Sequence, residues 1–226
     1  MKSIFCISGF GADHRVFSRL DLGTHQVHYL DWLIPIPQEP IGQYAQRMSA
    51  AIKTENPVIL GLSFGGMMAI EIAKLISAEK IILISSIKTR QELPGRMKWA
   101  GKLRLDEFLP LKSFPLIEPL ENRNLGIETE EERQMVSAYR KKVDPRYTSW
   151  AVHEILHWKN TWIPENLVHI HGGKDHIFPI RKIRADFVIE DGGHFMIMNR
   201  AEKINPILSK ILDEPAGMAA QGSWSK

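Results

Sequence analysis

The chain has 226 residues, 44% of them apolar, and 29 Lys+Arg against 26 Asp+Glu give a formal net charge of only +3. That is apolar material enough for one domain with a substantial core and an insertion, and the absence of an arginine-rich run interleaved with aromatics argues against a nucleic-acid partner. The single cysteine, Cys6, excludes an intramolecular disulfide, and no stretch reaches the roughly 20 apolar residues of a membrane span, so the reading is a cytoplasmic protein.

Lys2 to Ser8 reads as a strand, too short in its apolar part to be a signal core and followed by charged residues instead of a cleavage site. It runs into Gly9-Phe10-Gly11, where glycines bring backbone N–H groups to the end of a strand, the place where open α/β sheets bind ligands. Asp13 to Leu20 reads as a short helix or turn, Val27 to Trp32 as a more polar edge strand, and Ile34 to Pro40 as a proline-rich connector. Ile41, Tyr44, Ala45, Met48 and Ile52 then recur at helical spacing.

Asn56 to Ser77 organises the rest. Val58, Ile59, Leu60 and Leu62 form an apolar run of the kind buried on both faces of a parallel sheet, and Gly61-Leu62-Ser63-Phe64-Gly65 is a Gly-x-Ser-x-Gly turn opening straight into a helix. Such a turn brings strand and helix backbones almost into contact, which calls for Gly61 and Gly65, and lifts the Ser63 hydroxyl out of the sheet. Along the helix Glu71, Lys74 and Ser77 read as its polar stripe.

Lys80 to Ser86 is another buried strand, and the alternation so far predicts a mostly parallel, doubly wound sheet of about six strands with right-handed crossovers. From Lys88 to Asn160 the alternation stops. That region carries prolines at 94, 110, 115 and 119 and many aromatics, among them Trp99, Phe108, Phe114 and Tyr147, and reads as an inserted helical cap. Thr129-Glu130-Glu131-Glu132 is a capping box for a helix through Val143, and Asp144-Pro145 starts another. Lys88, Arg90, Arg96, Lys98, Lys102 and Arg104 read as a solvated basic surface. Leu167 to His171 and Ala185 to Glu190 restore the strands, Ile177 to Ile183 connects them, and Asn205-Pro206 restarts a helix through Leu212. The expected division is a core of 1–87 and 161–213, a cap of 88–160, and a loose tail of 214–226.

A serine hydroxyl needs an imidazole to take its proton and a carboxylate to orient that ring. His194, in Asp191-Gly192-Gly193-His194-Phe195, follows the last strand, and Asp175, in His171-Gly172-Gly173-Lys174-Asp175, follows the one before, which places both on the sheet edge that carries Ser63. Asp186 and Asp191 are substitute acids. GLSFGG, HGGKDHIFP and GGHF together resemble the nucleophile, acid and histidine loops of the α/β-hydrolase superfamily over Lys2–Ile87 and Leu167–Leu212. The resemblance implies Ser63 as nucleophile, His194 as general base and acid, Asp175 as orienting carboxylate, and an oxyanion hole from the N–H groups of Phe64 and Phe10, with Gly11 as the alternative to Phe10. Ser8-Gly9 stands where many members have His-Gly.

His153-Glu154-Ile155-Leu156-His157 also matches the zinc signature H-E-x-x-H on a predicted helix, but no third ligand is evident, and the helix has a structural account with Trp150, Ile155 and Trp158 packing. The expectation is a serine hydrolase of a carboxylic ester or thioester, with no cofactor and no metal, and with Gly9, Gly11, Phe10, Phe64, Trp99 and Phe195 shaping an apolar acyl pocket. The alternatives are a binding protein on a hydrolase fold and a zinc hydrolase.

Overall fold

In the computed structural model, which describes residues 1–108 and 118–213, strands β1 (Ser3–Ile7), β2 (Gln26–Leu30), β3 (Val58–Leu62), β4 (Lys80–Ile84), β5 (Leu167–Gly172) and β6 (Phe187–Ile189) form one parallel sheet. The expectations for Pro110, Phe114, Pro115, the Phe108 side chain and the tail from 214 lie outside the described residues. The strand order is β2-β1-β3-β4-β5-β6. Chain direction along the sheet reverses between β1 and β3, so the loops leaving those two strands open a crevice at their carboxyl ends. The loops after β1 and β3 are the ones that carry Gly9-Phe10-Gly11 and Ser63.

Alternation along the strands sorts the core into two layers. Phe5, Ile7, Ile59, Ile81 and Leu83 face one side, and Ile4, Cys6, Val58, Leu60, Ile82 and Ile84 the other. β3 and β4 are buried at every position, which is why their sequences read as unbroken apolar runs. Lys80, at the start of β4, is buried and sends Nζ to the Ile211 carbonyl at 3.0 Å. Burial pushes the Cys6 thiol up to about 12, so it packs as a small apolar side chain.

The first layer is covered by α1 (Ile41–Ser49), α2 (Phe64–Ala73) and, from the region between β4 and β5, α7 (Pro145–His157), whose Tyr147, Trp150 and Ala151 join the same apolar cluster. The other helices of that region are α3 (Gly95–Lys102), α4 (Leu105–Phe108), α5 (Glu118–Leu125) and α6 (Glu130–Lys142). The Thr129–Glu132 capping box forms, and Asp144 caps α7 with Pro145 in its first turn. The second layer holds α8 (Met196–Asn199) and α9 (Ala201–Asp213). Among the described residues no helix is long and apolar enough to cross a membrane.

Several local expectations are corrected. Helix α1 stops before Ile52, and α2 stops at Ala73 instead of running to Ser77. Glu71 is not solvent-facing: its carboxylate is buried, accepting Trp158 Nε1–H and Lys74 Nζ–H at 2.7 Å each. Lys88 and Arg90 are not a solvated patch either. Lys88 donates to the Arg184 carbonyl, ahead of β6, and Arg90 to the carbonyls of Leu156 and Trp158, at the end of α7, so both tie the segment after β4 to parts of the chain distant in sequence. Helix α9 starts at Ala201 and keeps Pro206 inside it.

The turn after β3 depends on backbone proximity. A Cβ on Gly65 would fall on the carbonyl oxygens of Ile7 and Ser8, and one on Gly61 would fall on the backbone of Gly65 and Gly66. Gly42, inside α1, has nothing within 4 Å of such an atom. Gly65→Ala is therefore expected to cost about 2–3 kcal/mol of stability by forcing backbone apart, whereas Gly42→Ala should gain about 0.5–1 kcal/mol through helix propensity. Urea denaturation of the two variants measures the contrast, and equal effects would refute it.

Candidate active site

Ser63 is held at the end of β3 in the left-handed half of backbone space, φ 53° and ψ −118°. A non-glycine residue in such a conformation stores on the order of 1–3 kcal/mol. Its surroundings fix it there: the Ser63 N–H donates to the Ile84 carbonyl at 2.9 Å, and its own carbonyl accepts from Ser86 Oγ at 2.6 Å and from the Gly66 N–H at 2.9 Å. The side chain, free of any capping bond to α2, is left for another partner.

That partner is His194. Its Nε2 lies 2.8 Å from Ser63 Oγ, and its Nδ1 lies 2.8 Å from Asp175 Oδ2. The remaining oxygen of Asp175 accepts the N–H groups of Ile177 and Phe178, both at 2.8 Å. Burial raises the Asp175 pKa, but the neighbouring His194 charge and hydrogen bond, with His171 and the Phe178 amide, outweigh it and hold the carboxyl below its ordinary value. An ionised carboxylate only accepts, so His194 carries its proton on Nδ1 and turns the Nε2 lone pair to the Ser63 hydroxyl. His171 is fully buried beside the pair, 3.6 Å from Asp175, with its Nε2–H given to the Phe178 carbonyl at 2.8 Å. Burial keeps its pKa low and the ring neutral.

The two substitute acids are occupied elsewhere. Asp186 accepts the His169 N–H at 2.8 Å, and Asp191 binds Arg200 and Lys203. The loop that presents His194 packs against backbone: a Cβ on Gly172 would fall on the Gly192 carbonyl, and Gly126, at φ +77°, lies against Gly193. Phe195 N–H donates to the Leu125 carbonyl at 2.8 Å. This support from the α5–α6 connection has no local sequence signal, because it joins residues about 70 positions apart.

The loop after β1 is brought to the same place. A Cβ on Gly9 would lie 3.5 Å from the Ser63 Cβ. Ser8, in the position often held by histidine, folds the loop by giving its hydroxyl to the Ala12 carbonyl at 2.6 Å while accepting Trp32 Nε1–H at 3.0 Å. The N–H groups of Phe10 and Phe64 donate to no acceptor among the described residues. Gly11, at φ +67°, is in the conformation that glycine tolerates, and the Tyr147 hydroxyl is buried without a hydrogen-bond partner among the described residues.

Aromatic rings line this end of the sheet: Trp32 stacks on Phe64 at 5.1 Å and meets Tyr147 at 5.3 Å, and Phe10, 41% exposed, stacks on Tyr147 at 5.9 Å. Trp32 and Tyr147 were not expected as pocket residues, since single aromatics carry no motif. The other two aromatics of the expected pocket lie differently. Trp99 stands on α3 at 64% exposed, and Phe195 packs in the second core layer with Val136 and Met196. The H-E-x-x-H pair also proves to have a third neighbour that the sequence does not reveal: Asp106 of α4 faces both His153 and His157.

Because the Asp175 pKa is lowered on folding, its contribution to stability is present above the unfolded carboxylate value of about 3.9 and is lost as pH falls through the folded one. The stability difference between the wild type and Asp175→Asn should thus be level from pH 8 to 5 and shrink below about pH 4. A difference that persists unchanged to pH 2 would contradict this.

No curated protein matches the chain significantly. Among solved structures it is similar to an esterase from Exiguobacterium antarcticum (16% identity, TM-score 0.70, covering 95% of this chain and 92% of that one). It also resembles a thermophilic esterase from Thermogutta terrifontis (16%, 0.69, 94% and 89%) and an epoxide hydrolase from Bacillus megaterium (13%, 0.68, 95% and 94%). At such identities the likeness is one of fold. The sequence profile of the alpha/beta hydrolase family matches residues 4–206, and the chain belongs to that family.

Proposed function

We propose that this hydrolase cleaves a carboxylic ester or thioester through an acyl-enzyme on Ser63. The observation that carries the reading is the unbroken series Asp175–His194–Ser63, two contacts of 2.8 Å ending on a serine in a strained turn. His194 Nε2 takes the hydroxyl proton as Oγ adds to the substrate carbonyl, and the same proton then goes to the departing alcohol or thiol as its bond to the acyl carbon breaks. Water enters by the reverse sequence: it gives a proton to Nε2 as its oxygen adds to the acyl carbon, and that proton passes to Ser63 Oγ as the Oγ–acyl bond breaks and the acid is released. Asp175 keeps the imidazole in the tautomer that accepts and stabilises its charged form.

The negative oxygen of each tetrahedral intermediate needs donors that are already oriented. The amides of Phe64, at the start of α2, and Phe10, on the loop beside Ser63, fit that role, and each such donor is typically worth about 3–4 kcal/mol in the transition state. A serine at the elbow supports ester chemistry over that of epoxide hydrolases and dehalogenases, which in this superfamily use an aspartate there. We further propose residues 88–160 as a cap that sets substrate choice, with Tyr147 of α7 joining Trp32, Phe10 and Phe64 in an apolar wall suited to an acyl chain.

A fluorophosphonate probe should modify Ser63, as located by mass spectrometry, and p-nitrophenyl esters of short and long chain should be turned over. Ser63→Ala and His194→Ala should each lose at least about a thousandfold in kcat, and Asp175→Asn about ten-thousandfold. A chelator should leave turnover unchanged. Labelling at another residue, or turnover that survives Ser63→Ala, would refute the proposal.

A further inference from the structure

Helix α7 presents His153 and His157 one turn apart, with ring centres 4.3 Å from each other. Opposite them, Asp106 of α4 has its side chain only 2% exposed, with Oδ2 2.7 Å from His153 Nδ1 and Oδ1 3.4 Å from His157 Nε2. One donor atom from each of the three lies within 4.8 Å of the others. Donors around a tetrahedral zinc ion, at roughly 2.0–2.2 Å from it, stand about 3.3 Å apart. The shortest of these contacts has only to open by about 0.6 Å, and the imidazoles have room to turn, since His153 and His157 are 44% and 30% exposed.

We infer that Asp106, His153 and His157 form a binding site for a divalent transition-metal ion, which clips α4 to α7. Two neutral nitrogens and one carboxylate oxygen suit Zn²⁺ and its neighbours, whereas Mg²⁺ and Ca²⁺ require mostly oxygen ligands. Solvent reaches both imidazoles, so water completes the coordination. The site does not activate that water in the manner of an H-E-x-x-H protease, because Glu154, which would be the base, accepts the Ile41 N–H through Oε2 at 3.2 Å. The role is structural, and it stands whether or not Ser63 carries the hydrolysis.

The test uses the full chain stripped by a chelator and dialysed. Titration with Zn²⁺ against a chromogenic chelator should give about one ion per chain, and the melting temperature should rise with Zn²⁺ and not with Mg²⁺. His153→Ala, His157→Ala and Asp106→Asn should each bind Zn²⁺ at least about tenfold more weakly, and the doubly substituted His153→Ala/His157→Ala chain should lose the thermal shift. The histidine variants, altered at partly exposed positions, should keep ester turnover close to the wild type, and the thermal shift is read against each variant's own metal-free melting temperature. Zn²⁺ binding of wild-type strength in the double variant, full affinity in Asp106→Asn, or no binding to the wild type at micromolar Zn²⁺ would overturn the site.

Discussion

The backbone of Gly65 lies against the carbonyl oxygens that end β1, and the conformation of Ser63 follows from that contact. A helix can start this close to a neighbouring strand only if its first turn has no side chain on the inner face, and only if the residue before it reverses direction within one step. The cost is a serine at φ 53°, and it is balanced by three backbone-directed hydrogen bonds that would be lost if Ser63 relaxed. The same contact decides where the hydroxyl points. The sheet's packing thus fixes the chemistry's first atom, and the side chain of Ser63 has no part in holding itself there.

The other two members arrive by a parallel device at the same carboxyl end of the sheet. The loops after β5 and β6 meet backbone to backbone, Gly172 against Gly192 and Gly173 against Glu190, so Asp175 and His194 share one rigid unit. Asp175 accepts two amides and an imidazole, and His171 gives its Nε2–H to the carbonyl of the same turn. A buried carboxylate with that many donors stays ionised, and an ionised carboxylate leaves His194 a single tautomer. Position, charge state and proton location are therefore consequences of one pair of glycine-mediated contacts.

Much of this was legible in the sequence because its signals are local. Apolar runs gave the central strands, the turn residues gave Ser63, and the two glycine pairs marked the loops of Asp175 and His194. What escaped was what depends on contacts between distant segments. Glu71 and Lys88 look like surface residues by spacing, yet Trp158 covers one and the Arg184 carbonyl draws in the other. The Leu125–Gly126 support of the histidine loop and the Trp32–Tyr147 contact join parts of the chain that no periodicity links. The aromatic bulk of Phe195 suggests a pocket residue, but its ring packs in the second core layer, a contact with distant segments that bulk alone does not reveal.

Helix α7 serves two environments because of its period. Tyr147, Trp150 and Ala151 lie on the stripe that enters the first core layer, where Trp150 Nε1–H is anchored on the Glu39 carbonyl at 2.7 Å and Tyr147 meets the rings near Ser63. His153 and His157, one turn apart, lie on the stripe that faces Asp106. Between them Glu154 ties the helix to the start of α1. A helix held by an apolar stripe and by the Trp150 and Glu154 hydrogen bonds is fixed in rotation about its axis as well as in place. An aromatic wall beside the reacting serine requires that kind of fixing, since a turn of a few tens of degrees would replace Tyr147 by a polar neighbour.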